Sequence, residues 1–200
     1  MSITAKNEKK EGFDPIPEGS YPARLYQIVH IGSIPGYQDQ IQNKARLTFE
    51  LPTVQREFKE GEGEKPMVIS SEYTLSTHEK ANLRGIVEGL IGASLEDKEA
   101  ENFDIESVIA KTCLLTVKHK ERKIGEGKYA VIGSVTSLPD GMDVPDQINE
   151  SKIQSYDDFD KDFHESLPDF LKEKVESSIE YDAMQSKLKG DEAKTGDIPF

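Results

Sequence analysis

The sequence predicts a mainly β protein built around a small barrel. Several short segments alternate between apolar and polar residues with a period of two, which is typical of half-buried strands. Between the third and the fourth of these segments the spacing becomes helical. Three strands, one helix and two strands is the element order of the OB-fold, a five-stranded, partly open barrel. Other small barrels and α+β sheets share this order.

The first two strands are predicted at residues 20–31 and 44–51, and a third at 66–75. For the first strand, alternation predicts an inward face of Ala23, Leu25, Gln27, Val29 and Ile31 and an outward face of Arg24, Tyr26, Ile28 and His30. For the second, it predicts an inward face of Ala45, Leu47, Phe49 and Leu51 and an outward face of Lys44, Arg46, Thr48 and Glu50.

The predicted helix has apolar residues at helical spacing, which are Leu83, Ile86, Val87, Leu90 and Ile91. Gly92 follows them as a stop signal, and Ser76-Thr77-His78-Glu79 has the form of a capping box before them. Strands are then predicted at 112–119 and 128–138, joined by a charged hairpin at 120–127.

Composition divides the chain into four parts. Residues 1–12 are polar and predicted to be disordered, and residues 13–141 form the predicted OB-fold domain. Residues 142–186 carry apolar side chains at near-helical spacing among acidic ones, which predicts one or two amphipathic helices interrupted at Pro168. Residues 187–200 are predicted to be a disordered tail that binds partner proteins.

Charge is distributed unevenly between these parts. The whole chain has a net charge of −13, but residues 1–139 hold 18 basic against 21 acidic residues, whereas residues 140–200 hold 7 against 17. This asymmetry indicates an acidic tail attached to a domain of a different kind. No apolar run approaches the length of a membrane span and no signal-peptide core is visible, so we expect a soluble cytoplasmic protein that does not bind membranes.

The predicted sheet carries a mixed basic and aromatic face that could bind nucleic acid. Its members are Arg24, Tyr26, His30, Tyr37, Lys44, Arg46, Lys118, Lys120, Arg122, Lys123, Lys128 and Tyr129. Single strands are bound by cations that follow the phosphates and by rings on which bases stack. The alternative interpretation is that external charges and half-buried rings occur on any soluble sheet.

No constellation of residues favours catalysis, a cofactor or a metal. Cys113 lies within a predicted strand, where a free cysteine is usually a small buried hydrophobe. The four histidines are scattered without companion ligands at metal-binding spacing, so we expect no metal site.

The chain ends in Asp197-Ile198-Pro199-Phe200, behind the acidic residues Asp191 and Glu192. This terminus resembles that of bacterial and phage single-stranded DNA-binding proteins, and residues 19–132 resemble phage-encoded OB-fold proteins of the same class. The resemblance implies coverage of single-stranded DNA without sequence specificity during replication or recombination. It also implies that Asp197, Ile198, Pro199 and Phe200 recruit replication and repair proteins. The chain has no tryptophan and no long Gly/Gln-rich linker, so tetramer formation is not carried over.

The acidic tail is expected to compete with DNA for the basic face, because it is tethered beside that face at high effective concentration. Binding of double-stranded DNA in the absence of the tail stays open. One rival hypothesis is an acidic DNA mimic or adaptor that binds a host protein; the net charge favours it, and the concentration of arginines in the predicted barrel disfavours it. Another is a nuclease or other replication enzyme, which the lack of a carboxylate cluster on the predicted strands disfavours.

Overall fold

The computed structural model describes residues 14–195, without the side chains of residues 37 and 190–195. The predicted disordered segment 1–12 therefore lies outside the described residues. So do the side chain of Tyr37 and the proposed partner-binding residues Asp197, Ile198, Pro199 and Phe200.

Six strands form one open sheet. They are β1 (Gly19–Pro35), β2 (Ile41–Glu57), β3 (Glu64–Thr74), β4 (Thr112–Glu121), β5 (Lys128–Thr136) and the short β6 (Lys152–Gln154). The order of hydrogen-bonded strands is β3-β2-β1-β4-β5, with every neighbouring pair antiparallel, while β6 pairs in parallel with β1. The predicted mainly β class is confirmed, and the sheet is not closed by hydrogen bonds between its end strands β3 and β5.

Helices occupy two regions of the chain. α1 (Asn82–Ile91) and α2 (Asp97–Glu101) lie between β3 and β4, and α3 (Lys161–Ser166), α4 (Asp169–Glu176) and α5 (Ile179–Thr195) follow β6. Two short 3-10 turns cover Tyr37–Asp39 and Ile105–Val108. Within residues 14–195, none of the helices combines the length and apolarity that crossing a lipid bilayer demands.

The α1 helix confirms the predicted helical segment but not its predicted start. Its buried residues are Leu83, Ile86, Val87 and Leu90, and they pack against the inner face of the sheet. Gly92 ends the helix at φ 70°, and its N–H donates to Glu88 O at 2.9 Å. The capping-box prediction is wrong, because α1 begins after Ala81 and receives no side-chain cap.

A bulge in β1 reverses the predicted faces of its second half. Leu25 is opposite Phe49 and Gln27 is opposite Thr48, so Tyr26 is the extra residue of a register shift. Because side chains alternate, one extra residue moves the side chains that follow it to the other face. A second register shift lies between His30 and Gly32, and Ile34 comes after it. Ala23 and Leu25 therefore lie in the core beneath the sheet as predicted. Ile28, predicted to face outward, joins that core.

Val29 and Ile31 were predicted to share the face of Leu25, and this prediction is wrong. Together with Ile34 they form a second hydrophobic core on the opposite side of the sheet, against residues from the three C-terminal helices. The buried residues on that side are Phe163 in α3, Leu167 directly after α3, and Leu171 and Val175 in α4. In β2 the predicted inward residues Leu47, Phe49 and Leu51 lie in the first core, and Ala45 is buried as well.

The C-terminal region is more structured than its sequence predicts. Residues 142–186 contain a strand, β6, besides the predicted helical segments, and the break at Pro168 between α3 and α4 is present. The α5 helix continues to Thr195, so residues 187–195 have helical backbone where disorder was predicted.

Candidate nucleic-acid interface

The outer face of β1 and β2 is covered by residues 145–181, which we call the C-terminal cover. Beneath the cover lies Glu50 of β2, whose side chain is fully buried. The carboxylate accepts hydrogen bonds from Asn149 N and Nδ2, both at 2.9 Å, and from Ile148 N at 3.3 Å. It also pairs with the guanidinium of Arg24 at 3.2 Å. A buried carboxylate needs this many partners, since an unpaired charge in the interior is costly.

Arg46, a predicted binding residue, is also engaged by its own chain. Its guanidinium lies 3.5 Å from Glu72 Oε1, donates to Ser70 Oγ, and stacks over the Phe170 ring at 5.2 Å from the ring centre. Lys174 joins the same carboxylate at 2.6 and 2.9 Å. Burial lowers the pKa of Arg46 while Glu72 opposes that change, and a guanidinium keeps its charge in proteins.

Tyr26 and His30 are half-buried rather than exposed. Burial, followed by the charge of Glu50, raises the pKa of the Tyr26 phenol. His30 Nε2 lies 2.8 Å from Asn43 Oδ1, and its ring meets the Tyr156 ring edge-on with 5.1 Å between centres. Arg24, Tyr26, His30 and Arg46 therefore do not form the open face that alternation predicts.

Lys44 lies at the margin of this region. It is half-buried in β2, opposite Gly32 of β1 and Thr74 of β3, and forms no ion pair with any other residue in the described part of the chain. The structure does not bring Lys44 together with the cations of the β4–β5 hairpin.

The β4–β5 hairpin carries the predicted residues that stay exposed. They are Lys118, Lys120, Arg122, Lys123, Lys128 and Tyr129. Residues 118–128 contain five cationic and two acidic residues, in contrast to the acidic balance of the whole chain. The Lys128–Glu121 contact is 3.7 Å long and solvent-exposed at both ends, so it holds the Lys128 ammonium only weakly.

An open groove of about 790 Å³ lies between the two end strands, β3 and β5. Arg46 and Glu72 line one side of it, and Lys120 and Tyr129 line the other. Tyr129 is 40% exposed, and aromatic side chains are the groups on which bases stack. The groove thus combines cations, an exposed ring and two strand edges that do not pair with each other.

Sequence reasoning missed Ser70, Glu72, Phe170 and Lys174 around this groove. Ser70 and Glu72 alternate with buried Ile69 and Tyr73 in β3, so their outward position was readable from the period of the strand. Phe170 and Lys174 come about one hundred residues later in the chain. No local pattern predicts which part of the sheet they reach.

Other reactive groups do not form a site in residues 14–195. Cys113 is fully buried, and burial raises the pKa of its thiol to about 12, in accord with its interpretation as a small core residue. That region contains no cluster of three or more side chains suited to holding a metal ion.

No protein-family model matches the chain, and a search of curated proteins found no match either.

Proposed function

We propose that this protein binds single-stranded DNA without sequence specificity, in replication or recombination, and that its sheet is an incompletely closed OB-fold barrel. The strand order β3-β2-β1-β4-β5, with α1 between β3 and β4, supports the fold assignment. So does the approach of β3 to β5 across the groove, since these two strands would close such a barrel.

The observation that carries the functional proposal is an exposed basic hairpin beside an open groove with an exposed tyrosine. Lys120, Arg122 and Lys123 would neutralise phosphates and release their counterions. Tyr129 would stack on a base, a contact worth about 1–3 kcal/mol that tolerates any sequence. Lys118 and Lys128 extend the same basic surface.

The proposed path of the single-stranded DNA differs from the path across the outer face of β1 and β2 that the sequence predicts. Arg24 and His30 contact the C-terminal cover or their own sheet, and Tyr26 is half-buried, so these residues would hold the fold rather than the nucleic acid. Arg46 lines the groove and is already paired with Glu72. A phosphate would therefore have to compete with that carboxylate for Arg46.

The acidic C-terminal region supports a second part of the proposal. Residues 140–200 hold 7 basic and 17 acidic residues, and they are tethered to the domain that carries the basic hairpin. We expect the tail to compete with DNA at that hairpin. We also expect Asp197, Ile198, Pro199 and Phe200 to bind replication or repair proteins, as the resemblance implies.

Titration of a labelled oligo(dT) strand at two salt concentrations tests the proposal. We expect binding that weakens strongly as salt rises, because phosphate contacts release counterions. A labelled duplex in parallel measures the preference for single strands. Absence of oligonucleotide binding at both salt concentrations would contradict the proposed function.

An acidic DNA mimic or adaptor is the second candidate function. The exposed carboxylates of α3 and α4, among them Asp162, Glu165, Asp169 and Glu173, favour it. A mimic would bind a basic host protein and would bind no oligonucleotide at either salt concentration, so the same titration separates the two candidates.

A further inference from the structure

The tip of the β4–β5 hairpin exposes an isoleucine among cations. Ile124 is 92% exposed, the largest exposure among the large hydrophobic side chains of residues 14–189. Arg122 and Lys123 precede it directly. An isolated exposed isoleucine needs no explanation by itself. This one stands at the outermost point of the surface to which the proposed function assigns the phosphates.

The turn holds Ile124 away from the body of the protein. Gly125 and Gly127 adopt φ values of 83° and 104°, a region that residues with a Cβ rarely enter. The N–H of Arg122 donates to Gly127 O at 3.0 Å and closes the loop. No atom lies within 4 Å of the position that a Cβ would take at either glycine. The loop therefore projects into open solvent.

We propose that Ile124 is a wedge that enters between stacked bases where single-stranded DNA meets a duplex. This inference rests on the proposed function and names its substrate class, a single-strand/double-strand junction. Proteins that kink or open DNA insert apolar side chains such as isoleucine between base steps. The cations on both strands of the hairpin would hold the phosphates on either side of the inserted side chain.

The substrate is a junction because the energy gained from one inserted isoleucine is small compared with the cost of unstacking an intact duplex. One isoleucine side chain offsets only part of the cost of separating two stacked base pairs, so it cannot open an intact duplex. At a junction the terminal pair already frays, and less stacking has to be lost. A lipid surface is the less favoured target, because one apolar side chain buries too little area to hold a protein on a bilayer.

The test compares the full-length chain with Ile124→Ala and with Ile179→Ala. Ile179 is 57% exposed at the start of α5, so it is a matched control for loss of an exposed isoleucine. Binding is measured on oligo(dT), on a forked duplex with 2-aminopurine at the junction, and on anionic vesicles. For Ile124→Ala we expect unchanged oligo(dT) affinity, loss of the rise in 2-aminopurine fluorescence, and about fivefold weaker binding to the fork.

The control Ile179→Ala should behave as the wild type in every assay, and Ile124→Leu should keep the fluorescence rise. Equal behaviour of Ile124→Ala and the wild type on the fork would overturn the wedge. So would equal weakening on fork and oligo(dT), or an effect confined to vesicles. If the wild type bound no oligo(dT) at all, the proposed function would fail as well, which is a distinguishable result.

Discussion

At the scale of single residues, buried charges explain why the C-terminal cover stays on the sheet. Glu50 is fully buried and gathers Arg24, Ile148 and Asn149 around one carboxylate. Alternation predicted that Glu50 faces outward, and it does leave the first core. The sequence could not show that two of its partners, Ile148 and Asn149, come almost one hundred residues later in the chain.

Glu50→Ala should destabilise the protein by about 3–5 kcal/mol, because it leaves the partly buried guanidinium of Arg24 without its counter-charge. Urea denaturation measures the change. Glu62→Ala is the matched control, since Glu62 pairs with the exposed ammonium groups of Lys59 and Lys65. That variant should leave the midpoint nearly unchanged. Equal midpoints for the two variants would contradict a buried ion pair at Glu50.

The carboxylate of Glu180 should make the free energy of unfolding depend on pH. Burial alone would raise the pKa of Glu180, but hydrogen bonds from Ser33 N at 2.6 Å and Ser33 Oγ at 2.7 Å bring the pKa below its ordinary value. A carboxyl whose folded pKa is lowered stabilises the fold above its unfolded pKa of about 4.3. That contribution is lost as pH falls through the folded pKa.

Glu180→Gln should therefore lower the thermal midpoint near neutral pH, and its difference from the wild type should shrink as pH falls below the unfolded pKa and through the lower folded pKa of Glu180. Thermal unfolding followed by circular dichroism at several pH values measures both effects. Glu173→Gln, at an exposed position of α4, is the control and should match the wild type near neutral pH. A difference that stays constant with pH would contradict this role for Glu180.

At the scale of elements, the sequence predicts features set by neighbouring residues, such as the faces of a regular strand, and misses features set by pairing with other strands. The two faces of β2 follow from alternation over residues 44–51, and the end of α1 follows from Gly92. The second half of β1 does not follow, because register shifts at Tyr26 and between His30 and Gly32 change the faces without a local sequence signal. The proximity of the hairpin cations was predictable, because they lie within residues 118–128 on two strands joined by a turn.

The C-terminal helices form a layer of the fold rather than an appendage. Leu171 is 1% exposed in the second core, between α4 and β1, whereas its neighbour Phe170 is 47% exposed. Leu171→Ala should cost about 2–5 kcal/mol through lost burial and a cavity. Phe170→Ala, a larger truncation at an exposed site, should cost far less.

Urea denaturation followed by two probes measures these costs, and a single transition is expected for every variant. The reason is that the second core shares β1 with the first core. A Leu171→Ala variant with the wild-type midpoint, or with a separate early transition, would contradict a cover that folds together with the sheet.

At the scale of the whole molecule, the C-terminal cover lies over one part of the predicted binding face and leaves the other part exposed. Arg24, Tyr26 and His30 are half-buried, and Arg24 and His30 bond to their own chain, while the β4–β5 hairpin stays exposed. The sequence showed the charge asymmetry between domain and tail, because charge can be counted. It could not show where the acidic segment lies, because that depends on packing between distant elements.

Deletion of residues 191–200 should tighten oligo(dT) binding by on the order of tenfold at low salt, because it removes a tethered acidic competitor. The gain should shrink as salt rises. The matched control keeps the length and replaces Asp191, Glu192 and Asp197 by their amides. It should reproduce most of the gain if charge is the cause. Unchanged affinity in both variants would contradict competition by the tail.

The central claim is that single-stranded DNA binds along the basic β4–β5 hairpin. The most direct measurement is a fluorescence-anisotropy titration of oligo(dT) at several salt concentrations with two triple variants of equal charge. One replaces Lys120, Arg122 and Lys123 by alanine, and the other replaces the exposed residues Lys80, Lys98 and Lys111.

The hairpin variant should lose at least roughly tenfold in affinity, and its slope of log K against log salt should become shallower by about 2, while the control keeps both values. Equal losses in the two variants would show that net charge alone, and not the hairpin, attracts the DNA, and would contradict the account.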